Sequence, residues 1–280
     1  MQGFDQLCRP SSQSHMIDYT KVSIPRHHRP ALEACLNFMR PVNENTGEVA
    51  VSRSRVAQFG PALQGPGGIL SAVDPLRRAM QFHLTPTGHM LLDGSWHKQA
   101  QEGANYDAFV LPDFIATANG LCASFGLTPS TMDLQVLETG VNITPSLKVR
   151  EVLRRLVCHR EGVPFTTMRS KRGRSLGLEL VRGEYILKFY DKGAQYGLPF
   201  PLLRVEVKFI KSRRFRHLGI RTLSDLFDLH NWEKLEGELL SFFDEIDHRG
   251  TAAEHRRADA LGAAIGPTRR RSPVLGEPQR

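Results

Sequence analysis

The chain has 280 residues, of which 40% are hydrophobic and 24% charged, and it carries a formal net charge of +8. That composition excludes a chain too polar to bury a core, and no run approaches the ~20 apolar residues that a membrane helix needs. The four cysteines (Cys8, Cys35, Cys122, Cys158) form no CxxC pair and the first residues lack an apolar signal-like centre, which points to scattered free thiols in a cytoplasmic protein with no membrane role.

Residues 1–15 are polar and read as a disordered terminus. "MIDYTKVSIP" from Met16 reads as a first strand and "HRPALEACLNFM" as a short helix. Residues 41–80 carry a turn at Asn45-Thr46-Gly47 and a Gly/Pro loop, "GPALQGPGGILS". A hairpin follows, "AMQFHLT" and "HMLLDGSWHK" around Pro86-Thr87-Gly88. "LPDFIATANGLCASFG" predicts a helix entered through Pro112 and closed by Gly126. "MDLQVLETGVNIT" predicts a strand. "PSLKVREVLRRLVCHREG" predicts one helix with an apolar stripe through Val149, Val152, Leu153, Leu156 and Val157.

A meander of "FTTMRS", "LGLELV" and "EYILKFYDKG" comes next, with a basic turn over Lys171–Arg174. "PLLRVEVKFI" then alternates Arg204, Glu206 and Lys208 with Val205, Val207 and Phe209. "TLSDLFDLHN" and "NWEKLEGELLSFFDEID" read as helices, and residues 248–280 as a basic disordered tail. Strand, helix and hairpin thus occur on each side of about residue 130. "LLDGSWHK" and "LKFYDKG" take comparable places in the two halves. The expectation is an α+β fold: one unit over 16–247, halves about 16–130 and 131–247, with an antiparallel sheet and helices on one face.

The positive charge is concentrated. Between Phe165 and His217 stand 13 Lys/Arg against four acids, a distribution that suits a polyanion, nucleic acid above all.

In "EYILKFYDKGAQ" the two-residue strand period puts Lys188, Tyr190 and Lys192 on one face. A phenol titrates near about 10, and ammonium neighbours favour its phenolate and neutralise a phosphate gaining charge. That is the equipment for attack on a phosphodiester. An edge-strand tyrosine flanked by solubilising lysines would show the same pattern. Glu138 and Glu206 each sit mid-strand among Leu and Val, where a carboxylate must face water, a cation or a metal. Together they have the oxygen chemistry for a hard divalent ion, or for salt bridges to Arg204 or a nearby lysine. Asp18 and Asp191 are weaker candidates. No His-x-His pair exists, and His97 reads as a polar surface residue. "GSWHKQAQEGAN" gathers Ser95, Lys98, Gly103 and Asn105, donors suited to a nucleic-acid backbone.

Four of these stretches, in order, resemble the gene II-type replication initiators of filamentous phages and the related rolling-circle initiators of plasmids and bacterial elements. "MIDYTKVSIP" looks like their opening strand, and "GSWHKQAQEGAN" resembles their Ser-Pro-x-Lys…Gly-His-Asn segment. "ILKFYDKG" is similar to the strand with the nicking tyrosine and its lysine. "PLLRVEVKFIKSRRFRHLGI" resembles the arginine-aromatic-glutamate strand and its basic continuation. Trp96-His97 replaces the family's Pro and small residue, and one extra residue separates Lys98 from Gly103.

The resemblance implies site-specific nicking and joining of an origin strand through a covalent 5′-phosphotyrosine, in a bacterial cytoplasm, with a host helicase and polymerase. Tyr190 would be the nucleophile, Lys192 its partner, and Glu138 and Glu206 the ligands of Mg²⁺ or Mn²⁺. Lys98, Asn105, Lys171, Arg172, Arg174, Lys188, Arg204, Lys208, Lys211, Arg213, Arg214 and Arg216 would contact DNA. The competing expectation is a DNA-binding regulator of a phage or plasmid element that makes no cut.

Overall fold

The computed structural model describes residues 15–36, 69–73, 79–159, 162–169, 173 and 175–248. The terminal segment before His15, most of 41–80, the tail after 248 and Lys171, Arg172 and Arg174 lie outside the described residues.

The first half contains β1 (His15–Ile24), α1 (Arg29–Cys35), β2 (Leu70–Val73), β3 (Met80–Leu84), β4 (Met90–Ser95), α2 (Trp96–Ala100) and α3 (Leu111–Ser124). The second contains β5 (Asp133–Ile143), α4 (Val149–Arg155), β6 (Leu156–His159), β7 (Val163–Pro164), β8 (Thr166–Arg169), β9 (Ser175–Val181) and β10 (Tyr185–Asp191). It continues with α5 (Lys192–Tyr196), β11 (Leu203–Phe209), α6 (Arg213–Arg216), α7 (Leu229–Asp244) and β12 (Ile246–His248). Among the described residues nine strands form one antiparallel sheet in the order β2-β3-β4-β1-β5-β11-β10-β9-β8, and β12-β6-β7 form a small second sheet. The fold is α+β. No described helix is long and apolar enough to cross a membrane.

Two local readings are corrected. The helix expected over 145–162 ends at Arg155, and Leu156–His159 instead pair with β12 and β7. Leu156 is buried whether it sits in a helix or a strand, so the apolar stripe does not distinguish the two; the edge offered by β12 does. The strand expected through Lys98 stops at Ser95, whose hydroxyl caps α2 by accepting from the Lys98 backbone N–H.

The strand order β2-β3-β4-β1 is matched in sense by β9-β10-β11-β5, with β1 and β5 paired antiparallel at the middle. This order relates β10 to β3 and β11 to β4, whereas the stretches compared in the sequence lie on β4 and β10.

One sheet face carries the core. Leu137, Val141, Leu187, Phe189, Val205, Val207 and Phe209 are buried there. Helices α3 and α7 close over this face: Phe114 of α3 meets Trp232 of α7 edge-on at 5.7 Å, and Phe242 packs 6.2 Å from Phe209. Each fully buried side chain of this size contributes about 1.5–3 kcal/mol. The opposite face, by the same two-residue alternation, receives Arg204, Glu206, Lys188, Tyr190 and Glu138. The central strands therefore carry apolar groups on one face and a largely buried network of charge on the other.

Candidate active site

Three neighbouring strands supply the centre. On β10, Tyr190 stands opposite Arg204 and Lys188 opposite Glu206; on β11, Lys208 stands opposite Glu138 of β5. The fourth contributor is β1, where a register shift between Ile17 and Tyr19 turns Asp18 onto the same face. Asp18, Glu138 and Glu206 each present a carboxylate oxygen within 4.8 Å of the others, and all three are buried. They line a cavity of about 310 Å³ together with Lys98, Tyr190 and Lys192.

Tyr190 donates its hydroxyl proton to Glu206 Oε1 at 2.8 Å. Arg204 reaches the same oxygen at 3.1 Å and also bonds Asn142 and the backbone oxygen of Asn105. Lys188 Nζ bridges Glu138 Oε2 at 3.0 Å and Glu206 Oε2 at 3.5 Å. Asn105, on the loop after α2, donates to Asp18 Oδ2 at 2.9 Å and accepts from Lys192 Nζ and Tyr196 Oη, each at 2.6 Å. The Ser95 hydroxyl completes the hold on Asp18.

Lys192 is not a strand residue. Asp191 caps α5 by accepting from the Ala194 N–H, so Lys192 begins a helix and still places Nζ 3.5 Å from the Tyr190 hydroxyl.

The electrostatics follow from burial among mixed charges. Burial raises the Glu206 carboxyl, but Lys188, Arg204 and the Tyr190 hydrogen bond outweigh it and hold the group at about 2. Burial, with the charge of Glu206 beside it, leaves Glu138 raised despite Lys188. Burial and Arg204 bring Lys192 down to about 7. Tyr190 is pushed well above the ordinary phenol range, first by burial and then by Glu206. The expectation that flanking ammonium groups favour the phenolate is therefore not met in this state, because the hydroxyl points at a carboxylate.

Several predicted contacts take different places. Arg204, expected to grip DNA, has 0% exposure, and its described partners are all internal. Asn105 is likewise buried as the polar hub behind Asp18 and Lys192. Lys188 lies on the carboxylates, and Lys208 covers the Tyr19 ring at 3.9 Å. The segment from Lys211 to Arg216 lies beyond the opposite end of β10. Arg213 and Arg214 pair with Glu184 there, and Arg214 rests on Tyr185 and Phe242. Tyr185 and Tyr190 are five strand residues apart, about 17 Å. His97, expected at the surface, is buried and stacked on Phe109 at 4.8 Å, with Nε2 bonded to Gln101; the short helix α2 turns it inward.

Sequence reasoning ranked Asp18 too low and passed over Tyr196 and two glycines. Asp18 had the same signal as the glutamates, an acid in an apolar strand. The glycines are contact positions: a Cβ on Gly140 would lie 2.8 Å from Glu206 Cγ, and one on Gly177 would lie 2.5 Å from Tyr190 Cβ.

No protein-family model matches the chain, and no curated protein matches it in sequence. Among solved structures the chain is similar to the rolling circle replication initiator protein from Geobacillus stearothermophilus, at 8% identity and a TM-score of 0.38, over 72% of this chain and 76% of that one.

Proposed function

We propose that this chain nicks and rejoins a DNA strand through Tyr190 to start rolling-circle replication. The observation that carries the reading is the position of the Tyr190 hydroxyl: in a cavity, 2.8 Å from a carboxylate of the acidic triad and 3.5 Å from the Lys192 amine.

Tyr190 Oη attacks the phosphorus of a phosphodiester, and the bond from phosphorus to the 3′ oxygen breaks. The products are a 5′-phosphotyrosine and a free 3′-OH, the end a host polymerase extends while a helicase opens the duplex. The phenol must lose its proton in this step. Glu206, held at about 2, is a poor acceptor, whereas Lys192, at about 7, is matched to neutral pH. The proton taken by Lys192 is then available to the departing 3′ oxygen, and joining runs the same steps backwards.

Asp18, Glu138 and Glu206 form a set of hard oxygen donors that fits Mg²⁺ or Mn²⁺. Such an ion would supply charge to polarise the scissile phosphate. Arg204, locked among Glu206, Asn142 and Asn105, orients the carboxylate. Lys98, on the cavity wall, and Lys208, beside Glu138, extend the positive surface that holds the strand.

The burial of Tyr190 and its raised phenol also favour a second reading, a regulator that binds DNA without cutting it. Labelled single-stranded oligonucleotides tiling the DNA around the gene, incubated with Mn²⁺, separate the two. Nicking predicts an SDS-resistant adduct that Tyr190→Phe abolishes and Tyr185→Phe retains. An adduct that survives in Tyr190→Phe rules out the assignment, and a mobility shift with no adduct supports the regulator.

A further inference from the structure

Three cations reach the carboxylates, Arg204, Lys188 and Lys208, and the first two differ in freedom to leave. The Arg204 side chain is 0% exposed, and its donors go to Glu206, Asn142 and the Asn105 backbone. Strands β5 and β11 fix two of those partners. The Lys188 side chain is 21% exposed and lines the cavity, and its two hydrogen bonds are those to Glu138 and Glu206. Its ammonium rides on a flexible four-carbon stem, unlike the rigid fork of an arginine.

The oxygens they hold also differ. Arg204 and Tyr190 engage Glu206 Oε1, while Lys188 covers Glu206 Oε2 and Glu138 Oε2. A divalent ion held by Glu138 and Glu206 would meet the ammonium that already sits on those carboxylates. The two cations compete for the same place.

We infer that Lys188 is an exchangeable counter-ion, which holds Glu138 and Glu206 together until a divalent cation takes its place on those carboxylates and which a polyanionic strand in the cavity draws away from them. The inference rests on reading the triad as metal ligands and adds what that reading leaves open: a coupling between metal and DNA. A strand that recruits the Lys188 ammonium uncovers the metal's ligand oxygens, and a metal that displaces the ammonium frees it for the strand. Linkage makes the two effects equal in size. Lys208, 3.6 Å from Glu138 Oε2, differs from Lys188 in resting over the Tyr19 ring at 3.9 Å.

The test is direct binding of Mn²⁺, followed by the electron paramagnetic resonance of the free ion. It uses full-length protein carrying Tyr190→Phe so that no strand is cut, with and without a short mixed-sequence single-stranded oligonucleotide. The Lys188 parent is expected to bind Mn²⁺ weakly alone and about tenfold more tightly with the oligonucleotide. Lys188→Met is expected to bind about tenfold more tightly without it, since the competing ammonium is gone, and to gain nothing further when it is added. Lys188→Arg, which keeps the charge in a fork that grips both carboxylates, is expected to bind Mn²⁺ more weakly than the parent.

Lys188→Met leaves two buried carboxylates short of a cation, so its thermal unfolding is followed in chelator and in Mn²⁺. The inference expects Mn²⁺ to raise its melting temperature more than that of the parent, or to refold it if it is unfolded in chelator. Failure of Mn²⁺ to do so overturns it. Mn²⁺ binding by the parent with the same affinity in both Lys188 variants overturns the inference and leaves the metal triad standing. No Mn²⁺ bound by any form, with or without oligonucleotide, overturns both.

Discussion

Tyr190 and Glu206 are diagonal neighbours across the β10–β11 ladder, and the phenol donates to the carboxylate at 2.8 Å. That single contact sets the resting state of the site. The phenol is oriented but protonated, and the oxygen it points to is already shared with Arg204. In the proposed reaction, activation must therefore remove a proton and loosen this bond.

The two glycines beside the pair hold it in place. A Cβ on Gly140 would lie 2.6 Å from the Val205 carbonyl and 2.8 Å from Glu206 Cγ; on Gly177 it would lie 2.1 Å from the Phe189 carbonyl. Backbone on both sides leaves no cheap relief. Gly140→Ala and Gly177→Ala are each expected to cost about 1–3 kcal/mol of stability. Each should also lower adduct yield more than the loss of folded protein explains. Chemical denaturation beside adduct yield per folded molecule checks this.

Lys192 predicts the pH dependence. Its folded value, about 7, lies below the unfolded lysine value, about 10.4. Between these values the unfolded chain binds the extra proton, so stability rises with pH across the window. The contribution is lost as pH falls through 7 and the buried amine is forced to charge. For the reaction, the rate of adduct formation is expected to climb as pH passes about 7. Lys192→Met should lower it by about 10²–10⁴-fold, and Lys192→Arg, charged throughout, should abolish the climb. Single-turnover rates across this range are the measurement.

Arg204 separates a structural cation from a DNA contact. Removing a buried, fully engaged guanidinium leaves Glu206 and Asp18 short of their partner, and Arg204→Met is expected to cost about 3–5 kcal/mol. Its side chain touches no exposed surface. The slope of log affinity for DNA against log salt should therefore stay as in the wild type, whereas Lys98→Ala should make it shallower by about one unit. Melting curves and salt titrations give the two readouts.

The first half carries its own buried polar group at the place the strand order relates to the site. Ser71 Oγ lies 2.8 Å from His83 Nδ1, His83 Nε2 lies 3.2 Å from Asp93, and Lys21 lies 3.5 Å from Asp93. His83 on β3 and Asp93 on β4 thus repeat the diagonal of Tyr190 and Glu206. Asp93→Asn is expected to destabilise the protein by about 1–3 kcal/mol while the folded variant forms adduct at the wild-type rate, as calorimetry and the adduct assay would show.

Alternation along a strand is a local property, so the residue order alone placed Lys188 and Tyr190 on one face of their strand, Arg204, Glu206 and Lys208 on one face of theirs, and marked Glu138 as an acid within an apolar strand. The same logic marked β1, β3 and β11 and both long helices. What the order of residues could not carry was distance between segments. Asp18 joins Glu138 and Glu206 only because β1 pairs with β5 and a bulge turns it inward. Arg204 becomes an internal brace because Asn105 and Asn142 close around it. The basic run from Lys211 is carried past the far end of β11, away from the phenol, by the direction of that strand. Leu156–His159 joins a strand ladder because β12 arrives beside it. In each case a pairing between residues far apart in the chain decided whether a charge faces solvent, a partner or the reacting group, and local period and propensity hold no information about that pairing.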